Sequence, residues 1–121
     1  MKLSHVTIFV KNLEESVAFY RDITGLPITR RFASGPDREI VFLGGGETMI
    51  ELVGGAGEVA SPTFGGISLG FETASLDGLI AELEKKGVSD IGDILRPNPQ
   101  VQFFFITDPN GLRIQFVEYK K

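Results

Sequence analysis

The sequence predicts an α+β fold made of two copies of one module, each running strand, helix and three strands. The main observation is an internal repeat, in which Leu13 aligns with Leu76, Val17 with Ile80, and Glu51 with Gln115. The second observation is size: 121 residues, 42% of them hydrophobic, make one ordinary globular domain. Since half of such a chain buries only a marginal core, we expect the modules to pack together or pair across a dimer.

Module one, residues 1–53, shows the full strand and helix pattern. Residues 3–10 are rich in Val, Ile, Thr and Phe and predict a strand. Asn12 then predicts the N-cap of a helix, and Gly25 predicts its end. Three more strands are predicted at 28–33, 39–43 and 48–53, with turns at 34–37 and 44–46 between them.

Module two, residues 67–121, follows a glycine-rich linker at 54–66 and repeats the pattern. Residues 67–73 predict a strand, Ser75 predicts a helix N-cap, and Gly87 predicts the end of that helix. Residues 88–95 are weakly strand-like, residues 97–99 predict a loop, and strands follow at 101–107 and 112–119 around a turn at 108–111.

Composition excludes several classes of protein. The chain has no cysteine, which excludes disulfides, iron–sulfur clusters and thiol nucleophiles, and a single histidine, which excludes sites needing two or three histidines from one chain. A net charge of −4 without a basic run argues against nucleic acid or an anionic membrane as partner. No stretch has the length and hydrophobicity of a signal peptide or membrane span, so we expect a cytoplasmic protein.

Two titratable residues are candidates for chemistry. Alternation places His5 on one strand face with Thr7 and Phe9, and Glu51 lies between Met49 and Val53 on the fourth strand. In a cavity, an imidazole acts as a metal ligand or acid–base group, and a carboxylate is costly to bury unless it is paired, coordinated or used. From the residues alone, His5 is better explained as a polar residue in a mostly apolar pocket, and Glu51 is equally well explained as a residue at a strand edge near water.

Other polar and aromatic signals indicate structure more than function. Glu118 shares a face with Ile114 and Phe116, opposite Gln115, and is expected to be solvated. Phenylalanines 103–105 are expected to be mostly core. The arginines are candidates for binding an anionic substrate, although each alone is expected to be a surface residue: Arg30, Arg31, Arg38 and Arg96.

The order of these motifs resembles the vicinal oxygen chelate superfamily, which includes glyoxalase I, bleomycin-resistance proteins and extradiol dioxygenases. The resemblance covers nearly the whole chain. It implies paired βαβββ modules whose curved mixed sheets form a cavity, commonly in a homodimer with sites built from both modules. The residues that carry it are His5, residues 12–20 with Gly25, residues 50–52, and residues 108–111 leading to residues 114–116.

The resemblance to glyoxalase I implies four metal ligands, two in each module. It assigns His5 and Glu51 as ligands in module one, and Glu51 also as the catalytic base that moves a proton. The matching positions of module two hold Ser68, a poor donor, and Gln115, which can act as a ligand. The implied cofactor is one divalent metal (Ni, Zn, Mn or Fe) at low affinity, or none. The substrate pocket is expected to be lined by Thr7, Phe9, Met49, Ser68 and Gly70.

Two functions therefore remain open. The first is a metal-assisted lyase or isomerase that acts by proton transfer next to a carbonyl, similar to lactoylglutathione lyase. The second is a metal-free protein that binds or sequesters a small aromatic or cationic compound. In both, the expected partner is a small molecule and the expected assembly is a homodimer.

Overall fold

A computed structural model describes residues 1–46, 48–55 and 66–120 of the chain. The chain divides into two compact units, unit 1 (Met1–Pro62) and unit 2 (Thr63–Lys121). Among the described residues, each unit has a four-stranded mixed sheet and one helical segment, which confirms the predicted α+β class. Within the described residues, no helix has the length and apolar character needed to cross a membrane.

Unit 1 follows the predicted order of strand, helix and three strands. The sheet order is β1-β4-β3-β2, in which β1 and β4 are parallel and the other neighbours are antiparallel. Helix α1 continues directly into a π-helical turn at Phe19–Ile23. The elements are β1 (His5–Phe9), α1 (Leu13–Ala18), β2 (Ile28–Ala33), β3 (Arg38–Leu43) and β4 (Met49–Gly55).

Local signals in the sequence explain where α1 begins and where its π-helical turn ends. Asn12 has extended backbone, and its side-chain oxygen accepts a hydrogen bond from the Glu15 backbone N–H at 3.0 Å, which confirms the predicted cap. Gly25 has a φ of 77°, a conformation that glycine adopts without steric cost. The helical segment therefore ends where the chain must turn back toward β2.

Unit 2 repeats this architecture with the sheet order β5-β8-β7-β6, in which β5 and β8 are parallel. Ser75 caps its helix, accepting a hydrogen bond from the Gly78 backbone N–H at 3.1 Å. The elements are β5 (Ser68–Glu72), α2 (Leu76–Lys85), β6 (Leu95–Asn98), β7 (Val101–Thr107) and β8 (Arg113–Tyr119).

The largest departure from the predicted elements lies around β6. The strand expected at 88–95 is wrong, because β6 starts only at Leu95 and runs through Pro97, where a loop was expected. An edge strand tolerates proline, which has no N–H to donate. In the segment before β6, the Asp90 carboxylate accepts hydrogen bonds from the Thr107 backbone N–H and hydroxyl at 2.8 and 2.6 Å.

The start of the predicted linker also differs from expectation. Strand β4 continues through Gly54 and Gly55, which were assigned to the linker. A side-chain carbon on Gly55 would come within 1.9 Å of the Asp37 carbonyl oxygen, so only glycine lets β4 pass this close to β3. The rest of that linker, residues 56–65, lies outside the described residues.

In each unit, the helical segment packs on one face of the sheet and the core lies between them. Val17 and Tyr20 from the helical segment of unit 1 are buried, as are Leu76 and Leu83 of α2. The buried strand residues on this helix-facing side include Ile8, Val41, Leu43, Leu52, Phe104, Ile106 and Ile114. We call the opposite sheet face, on which no described helix of the same unit packs, the open face of each unit.

Strand register shows that the two open faces are built alike. In unit 1, Glu51 lies between Thr7 on β1 and Phe42 on β3. In unit 2, Gln115 lies between Gly70 on β5 and Phe105 on β7. The repeat therefore extends to strand pairing, and equivalent positions of the two open faces can be compared residue by residue.

Candidate functional site

The open face of unit 1 carries a polar cluster of three side chains, His5, Thr7 and Glu51. The Thr7 hydroxyl donates a hydrogen bond to Oε1 of Glu51 at 2.5 Å. Nε2 of His5 lies 3.7 Å from the same oxygen. Oε2 of Glu51 accepts no hydrogen bond from any described residue, so the carboxylate is held through one oxygen and can offer the other to a ligand.

Burial makes Glu51 the central member of this cluster. Its side chain is 16% exposed, against 41% for His5. A carboxylate this far from water depends on nearby donors for its solvation, and Thr7 supplies one of them. The parallel pairing of β1 with β4 creates the contact, because it sets Thr7 directly beside Glu51.

Aromatic rings extend the open face of unit 1 beyond the polar cluster. The Phe42 ring meets the His5 ring edge-on at 5.8 Å and stacks with the Phe32 ring at 6.3 Å. We call Phe32 and Phe42 the aromatic platform. The Arg30 guanidinium carbon lies 5.0 Å from the Phe32 ring centre and 5.3 Å from that of Phe42. A polar cluster, flat apolar rings and a cation are thus contiguous on one surface.

The open face of unit 2 has the same layout with different chemistry. Gln115 replaces the carboxylate, and its Oε1 lies 3.2 Å from where a side-chain carbon on Gly70 would stand. Ser68 occupies the position equivalent to His5 and is exposed. Arg113 lies over the Phe105 ring with its guanidinium carbon 3.9 Å from the ring centre. At the positions equivalent to His5 and Glu51, this face therefore offers a neutral hydroxyl and a neutral amide in place of an imidazole and an acid.

The donor chemistry fits a metal only in part. His5 and Glu51 are good ligands and face each other, but Ser68 and Gln115 supply only a hydroxyl and an amide. Among the residues that the structure describes, no group of three or more histidine, aspartate or glutamate side chains could hold a metal ion. Catalytic zinc sites use three protein ligands, so the residues present do not match a tightly bound metal.

The predicted pocket residues divide between the two units. Phe9 and Met49 belong with the polar cluster in unit 1, Phe9 at 50% exposure and Met49 paired with His5. Ser68 and Gly70 lie in unit 2 on β5. A cleft of about 560 Å³ near the start of α1 is lined by residues 11–14, 36–39, 54 and 55, and contains none of the predicted metal-ligand or pocket residues.

Glu118 shows where the expectation of a solvated side chain is wrong. It lies on the helix-facing side, as alternation predicted, but it is half-buried. Its Oε1 accepts a hydrogen bond from the Leu76 backbone N–H at 2.8 Å. It therefore helps to cap α2 from a neighbouring strand, and the sequence held no local signal for this long-range contact.

Structure also separates the four candidate arginines. Arg31 forms ion pairs with Glu14 and Glu39, and Nε of Arg96 donates to Oε1 of Gln102 at 2.9 Å. Arg38 lines the cleft near α1. Arg30 alone of the four lies on the aromatic platform. Sequence reasoning missed Phe42 and gave Arg30 little weight, although pairing the two strands as a hairpin would have put both on one face.

Comparison with known proteins establishes the family. The family model for the Glyoxalase/Bleomycin resistance protein/Dioxygenase superfamily matches residues 2–116. The chain therefore belongs to this superfamily, as the resemblance indicated. A search of curated protein sequences finds no match.

Solved structures with the same fold include a glyoxalase family protein from Bacillus cereus, with a TM-score of 0.83, 18% identity, and coverage of 100% of this chain and 95% of that one. Glyoxalase I from Leishmania major, described as trypanothione-dependent, has a TM-score of 0.74 and 24% identity, covering 98% of this chain and 86% of its own. Lactoylglutathione lyase from Agrobacterium tumefaciens has a TM-score of 0.65 and 19% identity, covering 95% and 91%. At these identities the likeness concerns the fold.

Proposed function

We propose that this protein binds a small organic molecule on the open face of unit 1, with Glu51 as the acceptor of a hydrogen bond or proton from it. The observation that carries this proposal is the one-sided anchoring of the Glu51 carboxylate. Thr7 and His5 both approach Oε1, and no described residue donates to Oε2. A mostly buried carboxylate oriented in this way is suited to a ligand that brings its own donor.

The neighbouring rings support the same proposal. Phe42 adjoins His5, and Phe9 and Phe32 are 50% and 37% exposed. Exposed rings beside a few oriented polar groups are the usual composition of a small-molecule site. The binding mode would place a flat ligand against Phe42, with its donor directed at Glu51.

Solution NMR with a panel of small ring compounds would test this binding mode. Binders are expected to shift the backbone amide signals of residues 5, 7 and 51. Glu51→Gln should lower the affinity for these binders about tenfold, because it removes a charge-assisted hydrogen bond. Glu82→Gln, a change of the same kind at an exposed position on α2, is the matched control. Unchanged affinity in Glu51→Gln would contradict the proposal.

A second candidate is a metal-assisted lyase or isomerase acting by proton transfer next to a carbonyl. His5 and Glu51 favour it, because an imidazole nitrogen and a carboxylate oxygen 3.7 Å apart can both bind one divalent ion. In this case Glu51 would be a metal ligand and the base of the reaction.

Metal analysis and turnover separate the two candidates. The second candidate requires Ni, Zn, Mn or Fe bound to protein purified without chelator or supplied afterwards, together with hemithioacetal turnover that His5→Ala abolishes. Little bound metal, and no turnover after each metal is added, would eliminate it and leave the binding function.

A further inference from the structure

We propose that Arg30 and the aromatic platform form a subsite for the carboxylate group of a small organic acid, next to Glu51. This inference rests on the proposed function, since it names the chemical class of the molecule bound there. It follows from the surroundings of Arg30, from its geometry over the rings, from the distance between Arg30 and Glu51, and from a parallel arrangement in unit 2.

Arg30 lacks a carboxylate partner among the described residues. Arg21 pairs with Asp22, and Arg31 pairs with Glu14 and Glu39. Arg30 is exposed, and its contacts in the described part of the chain are with the Phe32 and Phe42 rings. Its charge is therefore available to an anion from solution.

The position of the Arg30 guanidinium over the aromatic platform also favours a carboxylate subsite. A guanidinium over aromatic rings is attracted by their negative faces, which restrains a side chain that would otherwise move freely. Its N–H donors remain in the plane of the group and can bind the two oxygens of a carboxylate together. The rings thus restrain Arg30 without using the donors that a carboxylate requires.

The separation of Arg30 and Glu51 matches the size of a small organic acid. Arg30 on β2 is paired with Phe42 on β3, which is paired with Glu51 on β4. Two strand spacings separate the first and last of these, about 10 Å between backbones. A single-ring acid has the size to place its carboxylate at Arg30, its ring on Phe42 and a donor at Glu51.

Unit 2 reaches the same juxtaposition by a different route. Phe105 is the equivalent of Phe42, beside Gln115 as Phe42 is beside Glu51, and it too carries a guanidinium. That guanidinium comes from Arg113 on β8, whereas Arg30 comes from β2. The position equivalent to Arg113 in unit 1 is Met49. A cation over this phenylalanine therefore recurs although its source in the module differs.

The test uses 4-hydroxybenzoate and its neutral counterpart 4-hydroxybenzamide as probes, with NMR detection of the arginine Nε–H signals. We expect the acid to shift the Arg30 signal saturably and to bind at least about tenfold more tightly than the amide. Arg30→Gln should remove that preference, and Arg30→Lys, which keeps the charge but not the planar fork, should retain part of it. Arg21→Gln is the control and should leave it intact.

Equal affinities for acid and amide, or an acid preference that survives Arg30→Gln, would overturn the inference, as would no binding of the acid at all. The Glu51→Gln variant separates this outcome from failure of the proposed function. If Arg30→Gln weakens binding of the acid and Glu51→Gln does not, the carboxylate subsite stands and the role of Glu51 is wrong. If Glu51→Gln weakens binding of the acid and Arg30→Gln does not, the role of Glu51 stands and the carboxylate subsite is wrong.

Discussion

At the residue scale, the open face depends on the contact between Thr7 and Glu51. Alternation along a strand predicts which face a residue occupies, and it correctly grouped His5 with Thr7. It cannot predict which residues of two distant strands become neighbours, because that depends on register. The hydrogen bond from Thr7 to Glu51 joins residues from the first and last strands of the unit, so only the structure could identify it.

Thr7 is therefore expected to position Glu51 for ligand binding. Thr7→Val keeps the shape of the side chain and removes its hydroxyl donor. It should weaken the binding of a ligand that depends on Glu51 by about 1 kcal/mol, roughly fivefold in Kd. The thermal midpoint should hardly move, since Thr7 is exposed and valine is favourable in strands. Isothermal titration calorimetry and thermal melting measure the two quantities.

Thr7→Ser provides the matched control, since it retains the hydroxyl and loses only a methyl group. It should keep most of the affinity that Thr7→Val loses. If serine and valine weaken binding equally, the methyl group matters and the hydrogen bond does not.

At the element scale, caps and turns were predictable where their signals are local. Asn12 and Ser75 cap the helices that follow them, as their side chains indicated. The position of strand β6 was wrongly predicted because the contacts that fix the segment before it are long-range. The Asp90 carboxylate accepts hydrogen bonds from Thr107 on β7. The sequence near either residue contains no signal for this contact.

Glu118 gives a test of long-range capping. Glu118→Ala removes the acceptor for the Leu76 N–H at the start of α2, and should lower the free energy of unfolding by about 1 kcal/mol. Denaturant unfolding measures this loss. Glu84→Ala, at an exposed position near the other end of α2, should change it by no more than about 0.5 kcal/mol. Equal effects of the two changes would refute the capping role.

Arg31 links α1 to β2 and β3 and gives the fold a pH dependence. Its hydrogen bonds to Glu39, and then to Glu14, raise the pKa of Arg31, and the same contact lowers the pKa of Glu39 below its ordinary value of 4.5. Because the folded chain then binds fewer protons than the unfolded chain, stability from this pair is fully present above pH 4.5 and is lost as pH falls through the lowered pKa.

Thermal melting across this acid range should therefore differ between the parent chain and Glu39→Gln. The parent should lose stability more steeply below the ordinary carboxyl pKa, because the variant has no charge at this position to protonate. The effect should be small and should shrink in high salt, since Glu39 and Arg31 are near the surface. Parallel acid curves for the two proteins would exclude this contribution.

Because β4 passes close to β3 at Gly55, we expect that this position does not tolerate a larger residue. Gly55→Ala would set a methyl group 1.9 Å from the Asp37 carbonyl oxygen and 2.9 Å from the Arg38 Cα. We expect a loss of about 2 kcal/mol in the free energy of unfolding, as overpacking forces the backbone to shift. Gly46→Ala, where no atom lies within 4 Å, is the control in the same denaturation experiment. Similar losses in both would argue against a steric cause.

At the scale of the whole molecule, the internal repeat was the most informative signal. Matches such as Leu13 with Leu76 predicted two modules, and both units have the same strand order. The repeat could be recognised because several of its matches involve buried residues such as Val17 and Leu76, which packing constrains. The open faces were harder to predict, because packing does not constrain them and the two copies have diverged there.

That divergence sets how many ligands that depend on Glu51 one chain can bind. The two faces share a layout, yet only the unit 1 face pairs an imidazole with an acid, whereas the unit 2 face has Ser68 and Gln115 at those positions. A ligand that requires Glu51 should therefore saturate at one equivalent per chain despite the repeated fold. Among the described residues, the duplicated architecture thus provides one pair of an imidazole and an acid, and the expected stoichiometry is that of one module.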